Sequence, residues 1–360
     1  MTDDLPALTG PVEVVGAGLI GTSIALVCRR LGLEVVLRDD SAKNVRTATG
    51  LGAGRAATPT DRPQLVVVAV PPASIAGAVV DALRRTDAVV TDVGSVKAAP
   101  YAAVAENVTT DQLRRYVGSH PMAGSERSGP LAASPSLFDG RPWAVTPHAT
   151  ADPDAVRLVT ALAETCGATP VTFSPEEHDE AVARTSHLPH LLAALVAGRL
   201  TDAPREHLAL SGQGVRDVTR IAAGDPALWQ QIVAGNTAAL SALLREVRAD
   251  VDTLLGALER GDRAGVTALL DRGVAGTTVI PAKHGGPPVP ESSVFVIVPD
   301  HPGELARLLA DAGEVGVNIE DLRIDHDPGR PVGLVELYVA EESVDHLLAS
   351  LEERGWTAHR

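Results

Sequence analysis

The sequence predicts three successive folds: a doubly wound α/β domain, an all-helical domain and a small α+β plait. Three observations carry that expectation. Short β-branched runs alternate with helical patterns from residue 10 to 174; strand signals vanish from 175 to 280; and beyond a Pro- and Gly-rich stretch they return in a βαββαβ rhythm. A chain of 360 residues accommodates that many domains.

In the first domain "VEVV", "EVVL", "QLVVVAV", "AVVTDV", "RRYVGS" and "WAVTP" read as strands. They are near-continuous apolar runs, as parallel strands covered on both faces must be. "GTSIALVCRRLG" and "ASIAGAVVDALRR" read as the helices between them. The second domain, 175–280, has helical spacing throughout, and its last long helix carries Leu240, Leu243, Leu244, Val247, Val251, Leu254 and Leu255. Such a stripe packs a core or seams a homodimer. Residues 281–291, within "PAKHGGPPVPES", read as a linker, and 292–360 as a ferredoxin-like plait. No period repeats along the chain.

Apolar residues make up 45% of the chain but aromatics only 2%, so the core is built from Ala, Val and Leu. The net charge of −15 argues against nucleic acid or an anionic membrane surface as partner. An anionic substrate then needs local arginines or helix N-termini. Cys28 and Cys166 lie in helical patterns and form no disulfide framework. The opening "MTDDLPALTG" lacks a signal-peptide pattern, and no apolar run reaches membrane-span length. The expected location is the cytoplasm.

Chemistry first shows in "VEVVGAGLIGTSIALVCRRLGLEVVLRDD", where Gly16, Gly18 and Gly21 have G-x-G-x-x-G spacing. The pattern follows a strand and opens a helix, and a second strand ends at Asp39. That context makes it a Rossmann-type dinucleotide site. Gly16 makes the tight turn, Gly18 admits the pyrophosphate, and Gly21 lets helix and strand pack closely. Leu19 and Ile20 open the helix whose N-terminus receives the phosphates. Asp39 suits the adenosine ribose hydroxyls and repels a 2′-phosphate, favouring NAD; Arg38 beside it is the feature that would admit NADP. In open parallel sheets ligands gather at the carboxyl ends of strands. "VVVAVPP" stops rigidly at Pro71 and Pro72. "AVVTDVGSVK" delivers Ser95, which can face the nicotinamide or cap a helix, and Lys97, read as solvated or phosphate-facing. "RRYVGSHPM" brings His120 to the same rim, where an imidazole can take a hydroxyl proton as hydride leaves the same carbon.

"GAGLIG", "DVGSVK", "GSHPMAGSERSG", "HDEAVARTSHLPH" and "GVRDVTRIAAGDPALW" together resemble the prephenate/arogenate dehydrogenases of tyrosine biosynthesis, from residue 11 to about 280. The plait, with "VPDHPGELARLL" and "GVNIEDLRI", resembles an ACT domain. The resemblance implies an oxidative decarboxylation of a cyclohexadiene: hydride leaves C4 for NAD, CO₂ leaves C1, and the ring becomes aromatic. The substrate is prephenate or arogenate. It further implies that His120 binds the C4 hydroxyl, Ser95 links hydroxyl, histidine and nicotinamide, and Arg220 clamps a substrate carboxylate through its forked donors. His187 and His190 are implied pocket histidines, Trp229 a wall, and Arg216 a second cation on the face of Arg220.

A β-hydroxyacid dehydrogenase shares the two-domain plan but commonly uses a lysine on the first helix of the helical domain, and residues 175–200 hold none. A non-catalytic amino-acid sensor would not need His120, Ser95 and Arg220 together. His178, Asp179, His187 and His190 can be read as metal ligands, but no further ligand motif supports a metal. Glu126 and Arg127 read as substrate contacts or a surface pair. In the plait, Gly303 and Asn318 form the expected ligand edge, with tyrosine the expected effector.

Overall fold

The computed structural model of the chain describes residues 8–123, 128–280, 290–326 and 332–360. It divides into two compact units, Met1–Ala249 and Asp250–Arg360.

The first unit begins with β1 (Val12–Val15), α1 (Leu19–Arg30), β2 (Val35–Arg38), α2 (Ala42–Gly50) and β3 (Arg55–Ala56). It continues with β4 (Leu65–Val68), α3 (Ile75–Arg85), β5 (Val89–Asp92), α4 (Ala98–Ala105) and α5 (Thr110–Arg114). The five strands form one parallel sheet in the order β3-β2-β1-β4-β5. Both faces are covered. Val12, Val14, Ile24 and Leu162 lie in the core on one side, and Val66, Val68, Ile75 and Val79 in that on the other. Cys28 and Cys166 are buried and unpaired, and burial pushes the Cys28 thiol up to about 12.

β6 (Gly118–Pro121), β7 (Pro142–Thr146), α6 (Pro153–Thr165) and β8 (Thr169–Thr172) follow. They correct the expectation of a single doubly wound parallel sheet. β6 pairs antiparallel with β7 and β7 parallel with β8 in a separate sheet. A lone parallel bridge, Val90 to Tyr116, leads from β5 toward β6. A parallel return needs a crossover element. α6 supplies one between β7 and β8. Between β6 and β7 the described residues form no α-helix, only the 3-10 turn Pro130–Ala132 and further turns at 135–140, and the chain returns antiparallel. β3 and β8 escape the sequence pattern because they are short, exposed and free of apolar runs.

The helical part comprises α7 (Pro175–Val182), α8 (Leu188–Gly198), α9 (Arg205–Leu208), α10 (Gln213–Ala222), α11 (Pro226–Gly235), α12 (Thr237–Arg260) and α13 (Arg263–Thr278). α7 and α8 are joined by a π-helical turn, Ala183–His187. Pro189 sits just beyond it, and a proline can neither donate to the preceding turn nor tolerate its carbonyl. The widened turn absorbs that defect. Asn236 interrupts what reads as one continuous helix, separating α11 from α12. No helix among the described residues is long and apolar enough to cross a membrane.

The second unit contains the end of α12, α13 and β9 (Glu291–Pro299), α14 (Glu304–Glu314), β10 (Asp321–His326), β11 (Val332–Ala340), α15 (Val344–Glu353) and β12 (Thr357–His359). The strands form an antiparallel sheet ordered β10-β11-β9-β12, the topology of the expected plait. Val294, Val296, Leu337, Leu308, Leu347 and Leu351 form its core. Trp356 donates from Nε1 to Asp311 at 2.7 Å, beneath the Arg307 guanidinium 3.8 Å from its ring centre.

Candidate active site

The glycine loop between β1 and α1 opens onto a crevice of about 780 Å³ lined by Gly16, Gly18, Arg38, Asp39 and Ser74. Gly16 has φ of 102°, and a Cβ there would collide with the Ala69 carbonyl. A Cβ on Gly21 would strike the Gly16 carbonyl, whereas one on Gly18 would meet nothing within 4 Å. The open side of the turn is therefore at Gly18. No side chain caps α1, whose first residues are Leu19 and Ile20, so its amides are left for an anion. The Asp39 carboxylate accepts from the Ala17 and Ser41 amides, both at 2.7 Å. A carboxylate has lone pairs beyond those two for ribose hydroxyls. These residues fit a dinucleotide.

Arg38 is bound elsewhere. Its Nε donates to Glu13 at 2.7 Å, and Arg85 donates to the other Glu13 oxygen at 2.8 Å. Glu13 lies in the central strand with its side chain 1% exposed. Two guanidiniums satisfy a carboxylate that would otherwise be costly to bury.

A second cavity, of about 280 Å³, is lined by Ser95, His120, Met122, Ser186, His187 and Trp229 among others. β6 carries His120, and the loop after β5 carries Ser95. Nδ1 of His120 lies 3.0 Å from Nε2 of His178, and Nδ1 of His178 lies 2.9 Å from Oδ1 of Asp179. The two rings meet edge to face with centroids 5.2 Å apart. Burial drives the His120 pKa well below the ordinary 6.5, and His178, Lys97 and His187 push the same way. Burial also lowers His178, opposed by its bond to Asp179.

Across the cavity His187 is held by the helix break. Asn236 Nδ2 donates to the Asp179 carbonyl at 2.7 Å and lies 3.3 Å from His187 Nδ1. The amide nitrogen is thereby fixed as a donor, so His187 accepts at Nδ1 and carries its proton on Nε2. Burial lowers its pKa to about 4, leaving it neutral at pH 7. His190 stacks on Trp229 with centroids 3.6 Å apart and planes 5° from parallel. Gly224 packs against that pair, where a Cβ would stand 2.9 Å from His190 Cε1 and clash with the indole nitrogen.

Lys97 corrects the reading of a solvated or phosphate-facing side chain. It is 1% exposed, pairs with Asp92 and donates to the Ser119 carbonyl at 2.7 Å. Tyr116 donates to the other Asp92 oxygen at 2.7 Å. Burial lowers the Lys97 pKa, against the pull of Asp92. Nor does Ser95 cap α4. The Asp179 carboxylate does, accepting from the Lys97 and Ala98 amides at 2.8 and 2.9 Å.

The structure thus brings His120, Ser95 and His187 to one cavity, with His190 behind its Trp229 wall. It does not bring Arg220 there: the side chain is 76% exposed on the last turn of α10, 4.0 Å from Asp217. Arg216 is exposed as well, and Glu126 and Arg127 lie outside the described residues. Gly303 has φ of 96° at the start of α14, a conformation only glycine adopts without strain, and Asn318 donates to Glu320 at 2.6 Å. His178 and Asp179, read only as rejected metal ligands, and Asn236, not singled out at all, prove central. The sequence signals for them are an adjacent His-Asp pair opening the helical domain and an Asn inside a helical run.

Two family models match the chain: "Prephenate dehydrogenase, nucleotide-binding domain" over residues 24–172 and "Prephenate dehydrogenase, dimerization domain" over 174–272. The chain is 35% identical over 359 residues to a probable prephenate dehydrogenase, NovF, of Streptomyces niveus, covering 96% of this chain and 98% of that protein. It is 30% identical over 265 residues to a cyclohexadienyl dehydrogenase of Zymomonas mobilis, covering 70% of this chain and 89% of that one. Among solved structures, prephenate dehydrogenase of Aquifex aeolicus with hydroxyphenyl propionate and NAD+ superposes with a TM-score of 0.68 at 26% identity, covering 75% of this chain and 98% of that one.

Proposed function

The chain belongs to the prephenate dehydrogenase family, and from that premise we propose that it converts prephenate to 4-hydroxyphenylpyruvate and CO₂ with NAD as hydride acceptor. The observation that carries this reading is the shared cavity of His120 and Ser95, with one nitrogen of His120 tied to His178 and the other left for substrate. Bound NAD supplies an electrophilic carbon for the hydride. Gly18 and the amides of Leu19 and Ile20 would hold its pyrophosphate, in a turn shaped by Gly16 and Gly21, and Asp39 would hold its adenosine ribose.

His120, neutral at pH 7, takes the C4 hydroxyl proton on Nε2 as the C4–H bond breaks. The C1–carboxylate bond then yields CO₂ and its electrons complete the aromatic ring. Ser95 orients the hydroxyl, and His187 donates from Nε2 to a substrate oxygen. Such placement of reacting groups is where the rate is gained, because aromatisation drives the reaction. His190 and Trp229 form the wall. Arg220, one long side chain from that wall, folds over the substrate carboxylate; the Ile221 carbonyl next to it already meets His190. The hydroxyphenyl propionate in the A. aeolicus relative, a phenol bearing an acid side chain, supports this substrate class.

The working molecule is a homodimer joined through its helical domain, a reading supported by the dimerization-domain match. It shares the cytoplasmic NAD pool. The plait acts as an ACT domain, with Gly303 and Asn318 at an edge that takes tyrosine. Calorimetry with tyrosine on the native chain and on Asn318→Ala tests that part; equal heats would remove it.

The deciding experiment is steady-state turnover of prephenate and arogenate, each with NAD and NADP. The expected result is the highest kcat/KM for prephenate with NAD. His120→Asn should bind NADH normally and lose turnover by about 10²–10⁴-fold. A near-native rate in that variant would refute the assignment. Arg220→Gln should raise the substrate KM and leave kcat less affected.

A further inference from the structure

The His120–His178–Asp179 chain has a direction, and the direction decides which face of His120 is basic. Asp179 is the fixed end. Its side chain is 7% exposed, and it accepts two backbone amides, Lys97 at 2.8 Å and Ala98 at 2.9 Å, as well as facing His178 Nδ1 at 2.9 Å. An ionised carboxylate only accepts. His178 must therefore carry its proton on Nδ1, which leaves Nε2 as a lone pair. That lone pair lies 3.0 Å from His120 Nδ1, so His120 must donate from Nδ1 and keep Nε2 unprotonated.

Building on the reading of His120 as base, we propose that His178 and Asp179 are positioning residues that fix the tautomer of His120 and hold its basic nitrogen toward the cavity. The proton balance is simple. The substrate O–H bond breaks and its proton joins Nε2 of His120, making an imidazolium. The Nδ1–H bond to His178 then becomes charge-assisted, and the Asp179 carboxylate holds the positive charge through the intervening ring. Asp179 has a second consequence. By capping α4 at Lys97 and Ala98 it fixes the segment two residues beyond Ser95, so one carboxylate sets the position of both the hydroxyl and the base.

The charged and titratable groups around His120 and its partner His178 are Asp179 on α7, His187 in the π turn, Asp92 at the end of β5 and Lys97 beyond it. His178 bonds His120 directly, and the Asp179 carboxylate reaches it through the His178 ring.

Two measurements on the full-length protein test the proposal. In ¹⁵N spectra of histidine-labelled enzyme at neutral pH, assigned with His120→Asn and His178→Leu, both His120 and His178 should be protonated at Nδ1 and bare at Nε2. His120 protonated at Nε2 would overturn the relay. In kinetics, His178→Leu removes the acceptor for His120 and should lower kcat by about 10²-fold, with NADH affinity retained. His178→Gln keeps an amide oxygen that can accept from Nδ1 and should recover most of the rate. Equal losses in the Leu and Gln variants would mean that His178 only fills space. Should His178→Leu not fold, the native spectrum and the Gln variant still decide the matter. Retention of turnover in His120→Asn would instead defeat the base assignment, which is a different failure from loss of the relay.

Discussion

Two histidines of one cavity end up with opposite hydrogen-bonding roles because their neighbours differ. His120 donates inward to a ring whose far nitrogen meets a carboxylate, and so accepts outward; His187 accepts inward from Asn236, and so donates outward. Both are neutral at pH 7 because burial opposes their charge. Lowering pH protonates the base His120, so kcat/KM should fall on an acid limb placed below the ordinary imidazole value of 6.5. A pH–kcat/KM profile with its limb at or above that value would contradict the burial argument. At the other end of the cofactor, Asp39→Asn should weaken NAD by about tenfold, the loss expected for a charged hydrogen bond. It should gain little NADP use, because Arg38 stays bound to Glu13. Adding Glu13→Gln should then raise kcat/KM for NADP, measured against the single variant. That His120 and Ser95 meet at one cavity was legible from the sequence, since both lie near strand ends, and so was the strand–turn–helix of the glycines. Glu13 was not. A single acid in "VEVV" reads as part of an apolar strand, and only the packing of β2 and α3 brings Arg38 and Arg85 to it.

Among the elements, the helices that build the cavity are the ones that deviate from regular geometry. The π turn delivers Ser186 and His187 to the cavity, and the break at Asn236 turns an amide toward Asp179 and His187. Regular helical spacing says nothing about such defects, which is why the sequence pattern predicted the helices and missed Asn236. Lys97 was misread for a related reason. A lysine after a strand end is solvated unless a buried carboxylate waits for it, and Asp92 does. Gly224 belongs to the same set, since the turn between α10 and α11 passes against the His190–Trp229 stack with no room for a methyl group. Gly224→Ala should push Trp229 off His190 and cost about 1–3 kcal/mol by overpacking. The expected signature is a lower melting temperature, a weakened near-ultraviolet tryptophan band and a raised substrate KM. An unchanged KM with the band lost would separate the wall from substrate binding.

On the scale of the whole molecule, the apolar stripe of α12 is buried in the core at one end and exposed at the other. Leu240 and Leu243 are 2% and 8% exposed, packed with Ala183, whereas Val251, Leu255 and Leu258 are 49%, 52% and 60% exposed. Leu195, Val196 and Leu210 of the helical domain are exposed too. Exposed large apolar side chains clustered on one stretch of helix, as at the end of α12, mark an association surface. A net charge of −15 would keep single chains apart, so apolar burial has to overcome that repulsion. The sequence displayed the stripe but not its division, because periodicity reports one face of a helix and not what covers it. Placing charge on the uncovered end should therefore separate the chains without unfolding them. If the proposed dimer uses this end, sedimentation equilibrium should give the mass of two chains for the native protein and of one for Val251→Asp/Leu255→Asp/Leu258→Asp, with helical circular dichroism retained. Because the stripe's buried end also supports Ala183 at the start of the π turn, turnover in the separated chain measures how far the cavity depends on the seam. A triple variant that still sediments as two chains would place the dimer contact elsewhere on the helical domain.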